Sequence, residues 1–237
     1  MKRLGVVGTV LLANMCLMII EITAGRIISK FLGQSIYTWT SVIGVVLGGM
    51  AVGNWMGGWL ADRRDPRKVV SALFALSALS CLAIPAINMW SGHRLFLLRM
   101  EWPSRIFFHV LFTFFLPACL IGAISPVVGR MALDRETKVG RTLGQLYAWA
   151  AVGSIGGTFL AGYVLIGFLN LISILLVVAG VLAGMAVVYR FAHVPAWCVL
   201  IASAGALWGA TGDSQAARDL GMRFKYLERS RPGRMQY

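Results

Sequence analysis

The sequence predicts an all-α protein, a polytopic bundle of six or seven transmembrane helices. Its 237 residues are 58% hydrophobic and 13% charged, whereas soluble domains carry about a quarter charged residues. The apolar residues collect in runs of about 18 or more, each long enough to cross the hydrocarbon core of a bilayer. A short phrase also recurs within the chain, which indicates two related halves.

Seven apolar segments account for most of the chain, and short polar connections separate them. The segments are 4–29, 38–60, 69–90, 106–128, 146–168, 170–190 and 194–210. The last is short and rich in Ala, Ser and Gly, so the predicted number of helices stays at six or seven. We therefore expect a helical bundle over 1–210 and a soluble, basic tail over 211–237.

The recurring phrase is GQSIYTW from Gly33 and, slightly shortened, GQLYAW from Gly144. Its copies are expected in the connections between segments one and two and between segments four and five. In an alternating bundle these connections lie on opposite sides of the membrane. The sequence therefore predicts an inverted repeat of three plus three helices.

The basic residues predict the orientation of the bundle. With a cytoplasmic N-terminus, eleven Lys and Arg residues fall in cytoplasmic connections and five fall on the other side. This bias follows the positive-inside rule. We expect a multi-pass protein of the bacterial inner membrane with its N-terminus in the cytoplasm, while the side on which the tail lies stays open.

Glycines follow a helical period in two of the segments. Gly49, Gly53 and Gly57 are four residues apart, and Gly153 and Gly157 repeat the spacing. Small residues on one helix face let backbones approach closely in lipid, which favours tight packing. The alternative is that these faces slide when a transporter changes conformation.

Four polar residues are predicted at membrane depth. Glu21 is an acidic residue within an apolar segment, and Arg26 follows it five positions later. The carboxylate either forms a structural ion pair or binds a cation or proton, since an isolated charge in hydrocarbon is costly. Asn14 and Asn54 are expected to form hydrogen bonds between helices, the commoner role of amides in membranes.

Composition excludes several other classes of function. The net charge of +13 lies in short connections and not on an aromatic-rich basic surface, so no nucleic-acid partner is expected. The four cysteines fall in apolar runs without the spacing of a metal site or a disulfide framework. We expect no metal, no cofactor and no catalytic residue.

The connection after the second segment, from Gly58 to Lys68, resembles the loop between helices two and three of the major facilitator superfamily. The resemblance implies that the three-plus-three bundle is like one half of a facilitator fold. It also implies that Asp62, with Arg63 beside it, latches helix ends during alternating access. Asp65-Pro66 replaces the usual glycine here, so the loop is expected to be held differently.

A longer set of motifs resembles the membrane domain of the membrane-fused spermidine synthase-like proteins. The set includes Glu21-x-x-Ala24-x-Arg26, Gly33-x-Ser35-x-Tyr37-x-Trp39, Gly57-Gly58-x-Leu60-Ala61-Asp62-Arg63, Ser125-Pro126, Arg141-x-x-Gly144-x-x-Tyr147 and Gly153-Ser154-x-Gly156. In fused members an aminopropyltransferase-like domain follows the helices, and Phe224–Ser230 resembles its opening strand. The sequence lacks that domain's glycine-rich loop and acidic residues, so the resemblance implies that this chain is not an enzyme.

Two functions fit these observations. The first is a membrane scaffold or accessory subunit, which anchors a soluble synthase-like partner chain or packs with other membrane subunits. The alternative is a transporter-like module for a small cationic metabolite such as a polyamine. Because the chain resembles only one half of a facilitator, that alternative requires a homodimer. In either case the lipid bilayer is an expected partner.

Overall fold

Helices form nearly all of the described structure. The computed structural model describes residues 3–92, 100–134 and 138–189. In chain order the helices are α1 (Arg3–Leu32), α2 (Ile36–Arg63), α3 (Pro66–Gly92), α4 (Trp102–Gly122), α5 (Ile124–Leu133), α6 (Val139–Phe159), α7 (Ile166–Phe168) and α8 (Leu171–Val188).

Six stretches of the described chain are long and apolar enough to cross a membrane. They are α1, α2, α3, α4 with α5, α6 with α7, and α8. They match the first six apolar segments, so the prediction of an all-helical chain with six long apolar helices is confirmed for these residues. The segment 194–210 and the tail 211–237 lie outside the described residues.

A tight turn joins α1 to α2. Gly33 has a φ of 74°, a left-handed conformation that glycine adopts at little cost, and its N–H donates to the carbonyl of Ser29 at 3.0 Å. Ser35 then caps α2, since its hydroxyl oxygen accepts the N–H of Thr38 at 3.2 Å. The first copy of the recurring phrase therefore begins in the connection, at residues 33–35, and continues into the first turn of α2.

The second copy of the phrase is not a connection. Helix α6 already begins at Val139, so the copy that starts at Gly144 lies in continuous helix. The prediction that both copies lie between helices is therefore wrong for this one. Its physical reason is local, because the shortened copy has no counterpart of the capping residue Ser35 that starts α2.

Two of the six long stretches are interrupted. Helix α4 ends at Gly122 and α5 begins at Ile124, just before Pro126, whose ring nitrogen cannot donate a hydrogen bond to the preceding turn. Between α6 and α7 the chain forms a wider π-helix over Leu160–Leu165. At both interruptions the helical hydrogen-bond pattern changes, while the chain remains one long helical stretch.

Three helix pairs build the bundle. The most extensive packing is between α1 and α6, between α2 and α4, and between α3 and α8. The hydroxyls of Thr9 and Tyr189 lie 2.8 Å apart, and Ser71 donates to the carbonyl of Ala186 at 2.8 Å. The starts of α1 and α3 therefore lie at the same end of the bundle as the end of α8, as alternating helices require.

Candidate functional site

A cavity of about 520 Å³ lies among four of the long helical stretches. Its walls come from α1, α2, the junction of α4 and α5, and the first half of α6. The lining residues are Val10, Ala13, Asn14, Leu17, Met50, Asn54, Gly58, Ala61, Asp62, Ile121, Gly122, Ser125, Pro126, Gly129, Arg130, Leu133, Leu143, Leu146, Tyr147 and Ala150. Most of them are apolar, and the polar ones other than Tyr147 fall into two groups.

The first wall of the cavity is the pair α2 and α4, which glycines hold in close contact. A Cβ on Gly49 would lie 2.9 Å from the Cβ of Ala118. A Cβ on Gly53 or Gly57 would overlap backbone carbonyls of the facing segment, those of Cys119 and Ala123. The predicted glycine face of α2 is therefore a backbone-to-backbone contact.

The second wall is the pair α1 and α6, which has the same construction. A Cβ on Gly153 would overlap the carbonyl of Leu11, and one on Gly157 would overlap the carbonyl of Met15. Both glycines are buried. The cavity thus lies between two closely packed helix pairs, each of which has glycines at its contact.

The inner polar group of the cavity consists of two amides and a hydroxyl. The side-chain nitrogen of Asn14 donates to the carbonyl of Val10 at 2.9 Å and to the hydroxyl of Ser125 at 3.3 Å. This second bond crosses from one helix pair to the other. Asn54 lines the same space from α2. Asn14 and Asn54 are therefore placed together, although 40 positions separate them in the sequence.

The outer polar group is an ion-pair network at the end of α2. The Nε atom of Arg130 lies 3.6 Å from a carboxylate oxygen of Asp62, and its Nη1 atom lies 2.8 Å from Asp134. Arg63 does not take part, since its guanidinium stacks 4.2 Å above the ring of Trp59. The residue that joins Asp62 to another helix is thus Arg130 and not its neighbour.

Glu21 and Arg26 lie outside this cavity. Glu21 is partly buried on α1 and Arg26 is exposed near the end of that helix. The ion pairs among the described residues involve neither side chain. The structure therefore separates these two candidates from Asn14, Asn54 and Asp62, which share one space.

Three residues of the site carried a weak signal in the sequence. Arg130 belongs to a Gly-Arg dipeptide before the second copy of the phrase, as Arg26 does before the first. Ser125 appears only in the Ser-Pro step, and Gly58 stands in two of the quoted motifs without a predicted role at a site. Their proximity depends on the packing of α2 against α4 and α5, which one sequence does not specify.

A second polar cluster lies away from the cavity, between α3 and α4. The Nε2 atom of His109 lies 2.8 Å from the side-chain oxygen of Asn88, and its Nδ1 atom lies 3.3 Å from the hydroxyl of Ser91. All three side chains are buried. The histidine is thus satisfied by neutral hydrogen bonds. No group of three or more His, Cys, Asp or Glu residues that could hold a metal is found in the described ranges.

Comparison with known proteins gives a distant relationship. The chain is 28% identical over 157 residues to polyamine aminopropyltransferase 2 of Ralstonia nicotianae. The aligned region covers 66% of this chain and 29% of that protein. The match to polyamine aminopropyltransferase 1 of the same organism has the same identity and covers 66% of this chain and 28% of that relative. The chain therefore spans less than a third of these curated relatives. No protein-family model and no solved structure matches. The similarity is consistent with a spermidine synthase-like relationship.

Proposed function

We propose that this chain is an integral membrane module related to the helical part of spermidine synthase-like proteins, acting as a scaffold or accessory subunit. The observation that carries the proposal is the combination of six long apolar helices with a similarity that spans less than a third of two polyamine aminopropyltransferases. The module would anchor a soluble synthase-like partner chain or pack with other membrane subunits. We assign no catalytic step to the helices themselves.

The exposed surface supports a position within the bilayer. Trp55 on α2 is 73% exposed, and Phe168 at the end of α7 is 75% exposed. Large apolar side chains cover much of the outer surface of these helices, a pattern that suits contact with lipid. We infer a multi-pass protein of the bacterial inner membrane with a cytoplasmic N-terminus. The Asp62 end of the bundle then faces the cytoplasm.

The experiment for the scaffold function is purification of the full chain from its native membrane in a mild detergent. We expect a soluble synthase-like chain, or other membrane subunits, to co-purify in a fixed ratio. A matched purification of the Gly53→Leu variant, which separates α2 from α4, tests whether the complex needs the intact bundle. Recovery of the wild-type chain alone from membranes would refute the scaffold function.

A second function is supported by the helix pairs and the cavity between them. The pairing of α1 with α6, α2 with α4 and α3 with α8 is the arrangement expected if the first three long stretches and the last three are related by a two-fold axis in the membrane plane. We therefore propose, as the alternative, a transporter-like module of the facilitator type that acts as a homodimer. Its cargo would be a small cationic metabolite, and a polyamine is suggested by the names of the relatives alone.

The test of the carrier function is exchange of a labelled cation by the purified chain in liposomes. Asp62→Asn should abolish exchange, because Asp62 is the carboxylate that lines the cavity. Glu21→Gln is the matched comparison, since Glu21 is a partly buried carboxylate outside the cavity. Well-folded protein that exchanges no cationic metabolite would refute this alternative and leave the scaffold function standing.

A further inference from the structure

Helix α2 presents two adjacent faces with different tasks. Gly49, Gly53 and Gly57 contact α4 and the residue that follows it. One position further on, Met50, Asn54, Gly58 and Asp62 follow the same four-residue spacing and all line the cavity. Residues four apart on a helix lie above one another, so these side chains form one line along the cavity wall.

The two polar ends of this line are chemically different. At the inner end, neither Asn14, Asn54 nor Ser125 carries a charge. The amide of Asn54 makes no hydrogen bond with any residue that the structure describes, and the same holds for the side-chain oxygen of Asn14. Asn54 is exposed on the cavity wall and Asn14 is half-buried, so both amides can form hydrogen bonds with a group that enters this space. This end of the cavity therefore suits an uncharged group that forms hydrogen bonds.

The outer end suits a single positive charge. Arg130 shares its one charge between Asp62 and Asp134 and lies closer to Asp134, at 2.8 Å compared with 3.6 Å. The three groups together carry one net negative charge. A cation at the carboxylate of Asp62 would complete the balance while Arg130 remains paired with Asp134.

Between the ends, Gly58 leaves room for a chain. A Cβ on Gly58 would have no heavy atom within 4 Å, although the residue lies in the wall of the cavity. Leu146 and Ala150, which line the cavity from α6, are apolar. Eight residues separate Asn54 from Asp62, or about 12 Å along the helix axis. Two hydrogen bonds of about 2.8 Å each leave room for a linear chain of roughly four or five carbons between the polar atoms of a ligand.

We propose that this cavity binds a linear aliphatic amine with one ammonium group and one uncharged polar end. The ammonium pairs with Asp62, the methylene chain passes Gly58, and the uncharged end forms hydrogen bonds with Asn54 and Asn14. The proposal names the ligand class of the carrier function above and rests on that function for its physiological meaning. Binding itself does not require that the ligand be transported.

The test is equilibrium binding of radiolabelled 5-amino-1-pentanol to the purified full chain in detergent. Unlabelled pentylamine and 1,5-diaminopentane serve as competitors of the same chain length. We expect 5-amino-1-pentanol to bind most tightly, because pentylamine leaves the amides without a partner and the diamine places a second charge beside them. A hydrogen bond to such a group corresponds to roughly a fivefold to tenfold change in affinity.

Variants separate the two ends of the site. Asn54→Leu should lower the affinity for 5-amino-1-pentanol towards that for pentylamine, since only Asn14 then remains to bond the uncharged end, and leave pentylamine binding unchanged. Asp62→Asn should weaken both ligands about tenfold or more, since it removes a charged partner. Gly58→Leu should block both, whereas Gly44→Leu is the matched control, since Gly44 lies on the same helix outside the cavity with nothing near its Cβ position.

The proposal is overturned by any of three results: no ligand binds, the diamine binds most tightly, or Gly58→Leu binds as the wild type does. Exchange in liposomes distinguishes this failure from failure of the carrier function. Protein that binds 5-amino-1-pentanol with the expected variant pattern but does not exchange it supports the site and refutes the carrier. Exchange of a cation that is insensitive to Gly58→Leu supports a carrier and overturns this site.

Discussion

Polar side chains inside the bundle differ in whether the protein itself satisfies them. His109, Asn88 and Ser91 form hydrogen bonds with one another and are buried. Asn54 lines a cavity and makes no hydrogen bond with a described residue. Because a buried polar group without a partner costs free energy, the first arrangement stabilises the fold. The amide of Asn54 is exposed on the cavity wall, so it can form hydrogen bonds with a ligand there.

The histidine cluster leads to a prediction about stability. His109→Leu should lower the free energy of unfolding by about 1–3 kcal/mol, since it removes the hydrogen bonds that Asn88 and Ser91 make with the ring. Thermal unfolding in detergent measures the effect. Thr158→Ala is a suitable control, because the exposed Thr158 hydroxyl bonds only within its own helix. Equal unfolding temperatures for the two variants would contradict a structural role for the ring.

The sequence indicated which polar residues lie within apolar segments but not which residues they contact. Asn14 was expected to form a hydrogen bond between helices, and its partner Ser125 lies 111 positions away. The distance between such residues depends on how whole helices pack. A helical period shows which face a residue occupies and leaves the facing residue undetermined.

The elements show how glycine spacing determines helix packing. In both the α2–α4 and the α1–α6 contact, glycine Cα atoms meet carbonyl groups of the other helix. The face of α2 was visible in the sequence because its glycines repeat every four residues. The sequence did not reveal that the second copy of the phrase lies within a helix, since this copy lacks a capping residue although its other residues resemble the first copy.

We predict that the glycine contacts are sensitive to size. Gly53→Leu should destabilise the bundle by about 1–3 kcal/mol or more, because even a Cβ overlaps the carbonyl of Cys119. Gly44→Leu on the same helix should change stability little, since Gly44 is exposed and its Cβ position is open. Unfolding temperatures of the two purified variants give the comparison. A stable Gly53→Leu protein would mean that α2 and α4 do not pack as described.

For the whole molecule, composition predicted the class of fold and packing determined the cavity. Long apolar runs sufficed to place six helices, because crossing a membrane requires a minimum length. The cavity is lined by residues from Val10 to Ala150. Its formation depends on contacts distant in sequence, and its polar ends could be recognised only after the helices were placed.

The inferred orientation is testable by labelling single cysteines in intact cells. Gln34→Cys lies in the connection between α1 and α2, and Arg64→Cys lies between α2 and α3. Both positions are exposed. With a cytoplasmic N-terminus, a membrane-impermeant maleimide should label Gln34→Cys from outside and label Arg64→Cys only after lysis. The reverse pattern would show that the chain is inserted the other way round.

The pairing of α1 with α6 has a consequence for the synthesis of the protein. The carbonyls of Leu11 and Met15 meet Gly153 and Gly157, more than half of the described chain away. The partners α2 and α4 are separated by a much shorter stretch of chain. In the membrane orientation proposed above, the first helix is therefore synthesised and inserted well before its partner exists. Helix α1 can reach its main neighbour only after α2 to α5 have been synthesised.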